Sequence, residues 1–498
     1  MKNKFRRSFI AVFIIICILL SQSVFAESDS SSATDRDVEY LKSIMDMIKE
    51  KYRGEITDDQ LIEGALKGMF GTMDQYTQYM TNDEAESFYT GLEGSFFGLG
   101  IVMKVSGKYI MVEKVFPGSP AEKAGIFPGD RIVSVNGKSI IGATTKETAE
   151  LIKGPAGKKV ILQVQRGLKN KAVKIQATVG QVNISPVEYE IRNGIAYIQL
   201  SSFGINADNA MTEVLDKIDK AKVTKVVLDL RNNPGGYVDV AVAIARKFVP
   251  KGLITKLDYK SEGYSDIEYN SYLEKTKYKL AVLVNGGSAS ASEIFAGAVQ
   301  DTKAGTLIGT KTFGKAKVQN LIPILTPEAF EKYEAELGVK LVDVYQLVNE
   351  YGITPLEDEI IGYSKITTGV YTTPKGRMID LKGLTPDITV PDPAPSKGIY
   401  IGSVQKLKMA KTPGLNESSV DVFYAETILN LLGYNVDEAD SILDKKTCEA
   451  IRKFQKSKGG KPSDRLDTAT QKWLNAELDK LRSSLDKQYG KAVEVLNK

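Results

Sequence analysis

The chain has 498 residues, 42% hydrophobic and 26% charged, with 66 lysines and arginines, 62 aspartates and glutamates and no histidine. That length and composition suit several globular domains of roughly 100–200 residues each. Without histidine a Ser-His-Asp triad is excluded and an imidazole-dependent metal site has little to stand on, so a hydrolase of this sequence must activate serine with lysine, a carboxylate or the chain terminus.

Lys2, Lys4, Arg6 and Arg7 precede an apolar run from Phe9 to Leu20, and Val24-Phe25-Ala26 places a small residue before a cut. This pattern predicts an export signal over 1–26. Its apolar run, about 12 residues, is shorter than the ~20 that span a bilayer. Cleavage removes those four basic residues and no acidic one, balancing the charge, so nothing points to nucleic acid as a partner. Cys17 leaves with the signal and Cys448 remains alone, so packing rather than an internal disulfide must stabilise the exported chain.

Residues 27–34, ESDSSSAT, read as a polar linker. Over 35–94 the apolar residues Leu41, Ile44, Met45, Ile48, Leu61, Leu66 and Met69 recur at helical spacing. Two readings stay open there: a domain's own core, or helices that pair with a second copy to make a homodimer. Residues 95–180 alternate as short strands with turns at Pro117-Gly118, Pro128-Gly129 and Asn136-Gly137, interrupted by one helix over 145–153. Over 181–395 strands such as IAYIQL, KVVLDL and KLAVLV alternate with helices, the pattern of an α/β layer with glycine-rich turns. An acidic, helix-forming insertion occupies 327–362. A linker is expected over 396–419, a helical module over 420–480 and a helical tail over 481–498.

The segment SFFGLGIVMKV followed by VFPGSPAEKAGIFPGDRIVSVNGK resembles a PDZ domain. The resemblance implies that Gly98, Leu99, Gly100 and Ile101 present main-chain N–H groups to the terminal carboxylate of a protein tail, which adds as a strand while apolar pockets set preference. Phe96, Leu99, Ile101 and Ile152 are the expected groove lining. Arg166 is a candidate to tie this domain to the catalytic one. LLGY, Thr447, Ala450-Ile451, Phe454-Gln455, Thr470 and Leu474 resemble a three-helix peptidoglycan-binding module, although DSILDKKT stands where that family carries an Asp-Gly turn. Wall contact and a plain packing role both remain open.

LDLRNNPGG (228–236), VNGGSASASEIFAGAVQD (284–301) and GTKTFGKAKVQ (309–319), with GMFGTMDQYTQYM and YTTPKGRMIDLKGLTPDITV, resemble the carboxyl-terminal processing, or tail-specific, peptidases over most of the chain. The resemblance implies Ser290 as nucleophile, Lys315 as general base and Gln319 as its uncharged partner. It also implies an oxyanion hole from Gly235, Gly236 and Ala291, with no metal and no cofactor. An ordinary lysine near pKa 10.4 is neutral to only about 0.04% at pH 7, and bringing it to 7 needs about 4.6 kcal/mol of destabilised ammonium, which desolvation can supply. Gln319 holds such a lysine without the charge that would raise its pKa. The four-residue spacing of Lys315 and Gln319 predicts one shared face, with Lys317 as the decoy if the segment is extended.

The expected fold is therefore a multidomain α+β and α/β chain: a helical N-terminal region, a PDZ β-sandwich or barrel insert, a crotonase-like α/β protease core and a small C-terminal helical module. The expected activity is serine endopeptidase action on proteins with apolar C-terminal tails, outside the cytoplasm of a Gram-positive-type cell. A catalytically silent tail-binding scaffold and thioester chemistry on a crotonase-like fold are the alternatives.

Overall fold

The computed structural model describes residues 33–167, 171–260 and 265–498. The expected export signal lies outside them, and among the described residues no helix is long and apolar enough to cross a membrane. The chain divides into two compact units after Tyr79.

In the first unit, helix Ala33–Lys51 begins inside the expected polar linker. Helix Asp58–Gly71 starts at Thr57, whose side chain and that of Gln60 form a reciprocal capping box. Val38, Tyr40, Leu41 and Met47 on the first helix are exposed, whereas Ile44, Met45 and Ile48 of its apolar stripe are partly buried.

The second unit opens with helix Asn82–Glu93, capped by Thr81 and Glu84 and ended by Gly94 in the left-handed region. Strand Ser95–Gly98 pairs antiparallel with Gly180–Asn183 and closes the base of the PDZ segment. Between them lies an antiparallel sheet in the order Ile101–Ser106, Tyr109–Val115, Arg131–Val135, Lys159–Arg166, Lys171–Thr178. Alternation along these strands buries Ile110, Val112, Ile132, Val160, Leu162 and Val164 in one cluster with helix Thr145–Ile152. Strand Ile101–Ser106 is at the edge of this sheet.

The protease core is a six-stranded sheet in the order Val187–Arg192, Ile195–Leu200, Lys225–Asp229, Lys279–Val284, Gly305–Gly309, Ile388–Thr389, parallel from the second strand onward. Its strands are apolar on both sides, as burial on two faces requires. One face packs Met211, Ile218, Ile244, Phe248, Phe295 and Val299 from helices Ala207–Lys220, Val238–Ala245 and Ala291–Thr302 and the segments beside them. The other face takes Tyr489, Ala492 and Leu496 of the last helix, Lys487–Asn497, against Ile195, Val227, Ala281, Leu283 and Ile308. The helical tail thus completes the core. A second sheet includes Ile267–Ser271, Gly252–Tyr259, Ile360–Thr372 and Lys317–Leu325, in that order. The insertion forms helices Pro327–Leu337 and Val344–Tyr351 with a small apolar cluster of their own.

Helices Val420–Leu431, Lys445–Ser457 and Thr468–Leu485 build the C-terminal module. The stretch 396–419, expected as a linker, instead buries Ile401, Val404 and Leu407 in the module's core. Main-chain hydrogen bonds of Val404 with Arg482, of Leu407 with Asn475 and of Lys408 with Asp421 fasten the same stretch. This module also clasps the PDZ domain: the Ser441 hydroxyl donates to the Pro128 carbonyl at 2.5 Å, and Glu438 pairs with Arg131 and accepts from the Ser106 hydroxyl.

Candidate active site

Strands Lys225–Asp229, Lys279–Val284 and Gly305–Gly309 are adjacent and parallel, so LDLRNNPGG, VNGGSASASE and GTKTFGK all emerge at their carboxyl ends. Loops there converge on one crevice, the usual place for a site in an open α/β sheet.

Ser290 caps helix Ala291–Thr302 with φ 56° and ψ −118°. A non-glycine residue held there stores strain of about 1–3 kcal/mol, a cost that surrounding bonds must impose. Those bonds come from its neighbours. Ser288 is buried, donates to the Leu230 carbonyl at 2.7 Å and accepts from the Asn285 amide. Ser292 donates to the Asn233 carbonyl at 2.9 Å. Both serines flanking Ser290 therefore staple the GGSASAS turn to the RNNPGG turn. Asn233, fully buried, bonds the Leu200 carbonyl and accepts from the Gly235 amide.

Gly235 and Gly236 have φ 109° and 147°, in a region that favours glycine. A Cβ on Gly235 would lie 2.9 Å from the Ser290 Cβ and 3.0 Å from the Ala291 nitrogen, so this turn lies directly against the nucleophile candidate. The Gly235 amide is engaged by Asn233, whereas the amides of Gly236 and Ala291 have no acceptor among the described residues. Of the three oxyanion candidates, these two keep free donors.

Lys315 is half-buried and lies in irregular chain just before strand Lys317–Leu325. Lys315 precedes the strand that carries Gln319, and an irregularity in pairing falls between Val318 and Gln319. Gln319 donates its amide to the Thr367 hydroxyl at 3.1 Å. Lys317 is on the strand, opposite Val370.

Two side chains that sequence reasoning missed join Ser290 to Lys315. Glu293, fully buried, accepts from the amides of Ser290 at 3.0 Å and Lys315 at 2.9 Å through one oxygen. Its other oxygen accepts from the Gly314 amide at 2.8 Å and the Thr312 hydroxyl at 2.5 Å. Burial pushes the Glu293 pKa up, and the donors from Thr312, Lys315, Gly314 and Ser290 pull against that rise. The hydroxyl of Tyr371, also buried, lies 3.0 Å from the Ser290 carbonyl and 2.7 Å from the Lys315 carbonyl and shares its one proton between them. In sequence, Glu293 reads as an ordinary first-turn helix acid, and Tyr371 is separated from Lys315 by the whole insertion.

In the PDZ domain, Leu99 is 1% exposed and belongs to the core, as does Ile152, so Leu99 offers a ligand only its main chain. Gly98 and Gly100 are buried, and Ile101 begins the edge strand. Arg166 does not reach the catalytic core. Its guanidinium is bidentate to buried Asp130 at 2.7 and 2.6 Å, donates to the Gly125 carbonyl and stacks on Phe127 at 4.2 Å.

The description "Peptidase family S41" matches residues 194–390, "PDZ domain" 111–166, "Activating protease CtpB N-terminal domain" 19–84 and "Putative peptidoglycan binding domain" 418–474. An α/β core of this kind with an attached PDZ domain defines the class: the chain belongs to peptidase family S41, a family of serine proteases. Its relatives carry the more particular description. The chain is 31% identical over 473 residues to the carboxy-terminal processing protease CtpA of Bacillus subtilis (strain 168), covering 94% of this chain and 92% of that protein. It is 29% identical over 489 residues to a probable CtpA-like serine protease of Staphylococcus epidermidis, covering 98% and 89%. Among solved structures, a photosystem II D1 C-terminal processing protease is 26% identical with a TM-score of 0.40, over 70% of this chain and 86% of that one.

Proposed function

We propose that the protein is an exported endopeptidase that captures apolar carboxyl tails with its PDZ domain and cuts the chain by acyl-enzyme chemistry on Ser290. Neutral Lys315 takes the Ser290 hydroxyl proton as Oγ bonds to the scissile carbonyl carbon. The amides of Ala291 and Gly236 receive the oxyanion, with Gly235 shaping the turn. Lys315 returns the proton to the departing amine as the C–N bond breaks, and then activates the water that frees the acyl group. Gln319 holds the lysine without adding charge.

The observation that carries this reading is the double tie between the two main chains: Glu293 accepts from the amides of Ser290 and Lys315, and the Tyr371 hydroxyl shares its proton between their carbonyls. Such a tie fixes nucleophile and base in one frame, and fixed approach is worth far more than the residues' identities alone. The unpaired edge of Ile101–Ser106 supports strand addition by a tail. The exposed apolar side chains Val38, Tyr40, Leu41 and Met47 of helix Ala33–Lys51 support pairing with a second copy, and the C-terminal module supports contact with peptidoglycan outside the cytoplasm.

The test is cleavage of an unfolded protein ending in an apolar tail, by the mature chain and by its Ser290→Ala and Lys315→Ala variants. Cleavage by the first alone is expected. Cleavage that survives both substitutions overturns the mechanism.

A further inference from the structure

The face of strand Ile360–Thr372 that carries Tyr363, Lys365 and Thr367 is opposite Pro323, Leu321 and Gln319 of the neighbouring strand. Thr367 holds the Gln319 amide. Lys365 therefore sits two residues, about 7 Å of strand, from the hydroxyl that positions a catalytic candidate. Helix Asn82–Glu93 lies over this face: the Phe88 ring is 4.8 Å from the Lys365 ammonium, and Tyr89 packs edge-on to Tyr363 at 6.2 Å. The insertion adds Tyr345, hydrogen-bonded to Tyr89, and Tyr237, directly after the Gly235-Gly236 turn, is near enough to Tyr345 and Tyr89 for their hydroxyls to interact. Aromatic rings thus extend from the oxyanion turn to the strand of Gln319, with the Lys365 ammonium among them.

Among the described residues no carboxylate pairs with this half-buried cation, although charged groups taken out of water are usually paired. Burial also lowers its pKa, and the Phe88 ring attracts the charge without neutralising it. A half-desolvated ammonium beside a reaction centre, facing aromatic walls and no acid, is poised for an anion that arrives with the substrate.

We propose that Lys365 is a specificity-determining residue that receives a carboxylate side chain of the substrate, a glutamate or aspartate within a few residues of the scissile bond. The aromatic walls take the apolar part of the same segment, and the insertion, through Tyr345, closes the subsite. This rests on the proteolytic reading above, with Ser290 and Lys315 at the reaction centre.

The test uses the full mature chain and unfolded peptides that share one apolar tail and one mapped cleavage bond, so the PDZ contribution cancels. Residues flanking that bond are scanned as Glu or Gln. At one position Glu is expected to raise kcat/KM roughly tenfold over Gln, as a charge-assisted contact does. Lys365→Met should abolish that ratio, Lys365→Arg should keep it, and Lys365→Glu should invert it in favour of Lys. Peptide affinity measured on Ser290→Ala, with and without Lys365→Met, gives the same ratio without turnover. A ratio that Lys365→Met leaves unchanged, or a scan with no Glu preference at any position, overturns the subsite. A charge-dependent affinity ratio with no cleavage by any variant keeps the subsite and sinks the proteolytic reading instead.

Discussion

Glu293→Gln is a single-atom change at the point where the two halves of the site meet. Each oxygen of Glu293 accepts from a main-chain amide: one from Ser290 and Lys315, the other from Gly314 together with the Thr312 hydroxyl. A glutamine must aim its NH2 group at one of these pairs. Placed toward Thr312, whose hydroxyl is able to accept, it still leaves the Gly314 amide facing a donor, so at least one buried N–H is unsatisfied. That costs about 1–3 kcal/mol, and in a domain of about 200 residues it lowers Tm by roughly 2–12 °C. The larger effect is on rate. The lost bond lies next to Lys315, and a shift of about 1 Å between nucleophile and base costs on the order of a hundredfold. We expect kcat to fall between ten- and a hundredfold, with KM for a tail-bearing substrate within about twofold, because the PDZ domain is untouched. Steady-state kinetics beside a thermal melt decide it. A lowered Tm with unchanged kcat would show that Glu293 only holds the fold and would refute the argument that it joins Ser290 to Lys315.

Gly236→Ala places a Cβ 2.4 Å from the Phe203 carbonyl oxygen at φ 147°, so the turn must move; cleavage should be lost while the affinity for an apolar tail peptide, read by fluorescence anisotropy, stays at the parent value. Glu426 is buried in the C-terminal module, and burial, aided by Asp440, raises its pKa well above the usual carboxylate value. Its favourable contribution is therefore present below about pH 4.5 and lost as pH rises through the folded-state pKa. Glu426→Gln, which keeps an acceptor for the Asp440 amide and a partner for Thr447, should raise the melting point at pH 7.5, with the advantage fading at about pH 4.5. Asp486 holds Arg231, just beyond strand Lys225–Asp229, at 2.8 and 3.1 Å. Asp486→Ala leaves that buried guanidinium with Asp229 and Gln488 and should cost up to about 3 kcal/mol by denaturant unfolding.

The parts of the fold that repeat along the sequence were legible in it. The alternation in VILQV marks a PDZ strand, and the apolar runs KVVLD and KLAVLV mark the buried parallel ones, because burial on one face or two leaves different periods. The motif singles out Ser290, and the structure turns the neighbouring Ser288 and Ser292 onto main-chain carbonyls. What escaped was contact between distant segments. Glu293 and Tyr371 act on main-chain atoms, which carry no residue identity for a pattern to register. Arg166 seemed free to reach the core until Asp130, on the neighbouring strand side, was seen to hold it. The last helix shows only an amphipathic period, and nothing in it names the sheet face that Tyr489 and Leu496 cover. Lys365 resembles any surface lysine until helix Asn82–Glu93 is laid over it.

The central claim is that Ser290 carries the acyl group and Lys315 activates it. Mature protein treated with a serine-reactive fluorophosphonate and mapped by peptide mass spectrometry should carry one adduct, on Ser290, lost in Ser290→Ala and strongly slowed in Lys315→Ala. An adduct on another residue, or an active protein in which Lys315→Ala labels at the parent rate, would contradict it.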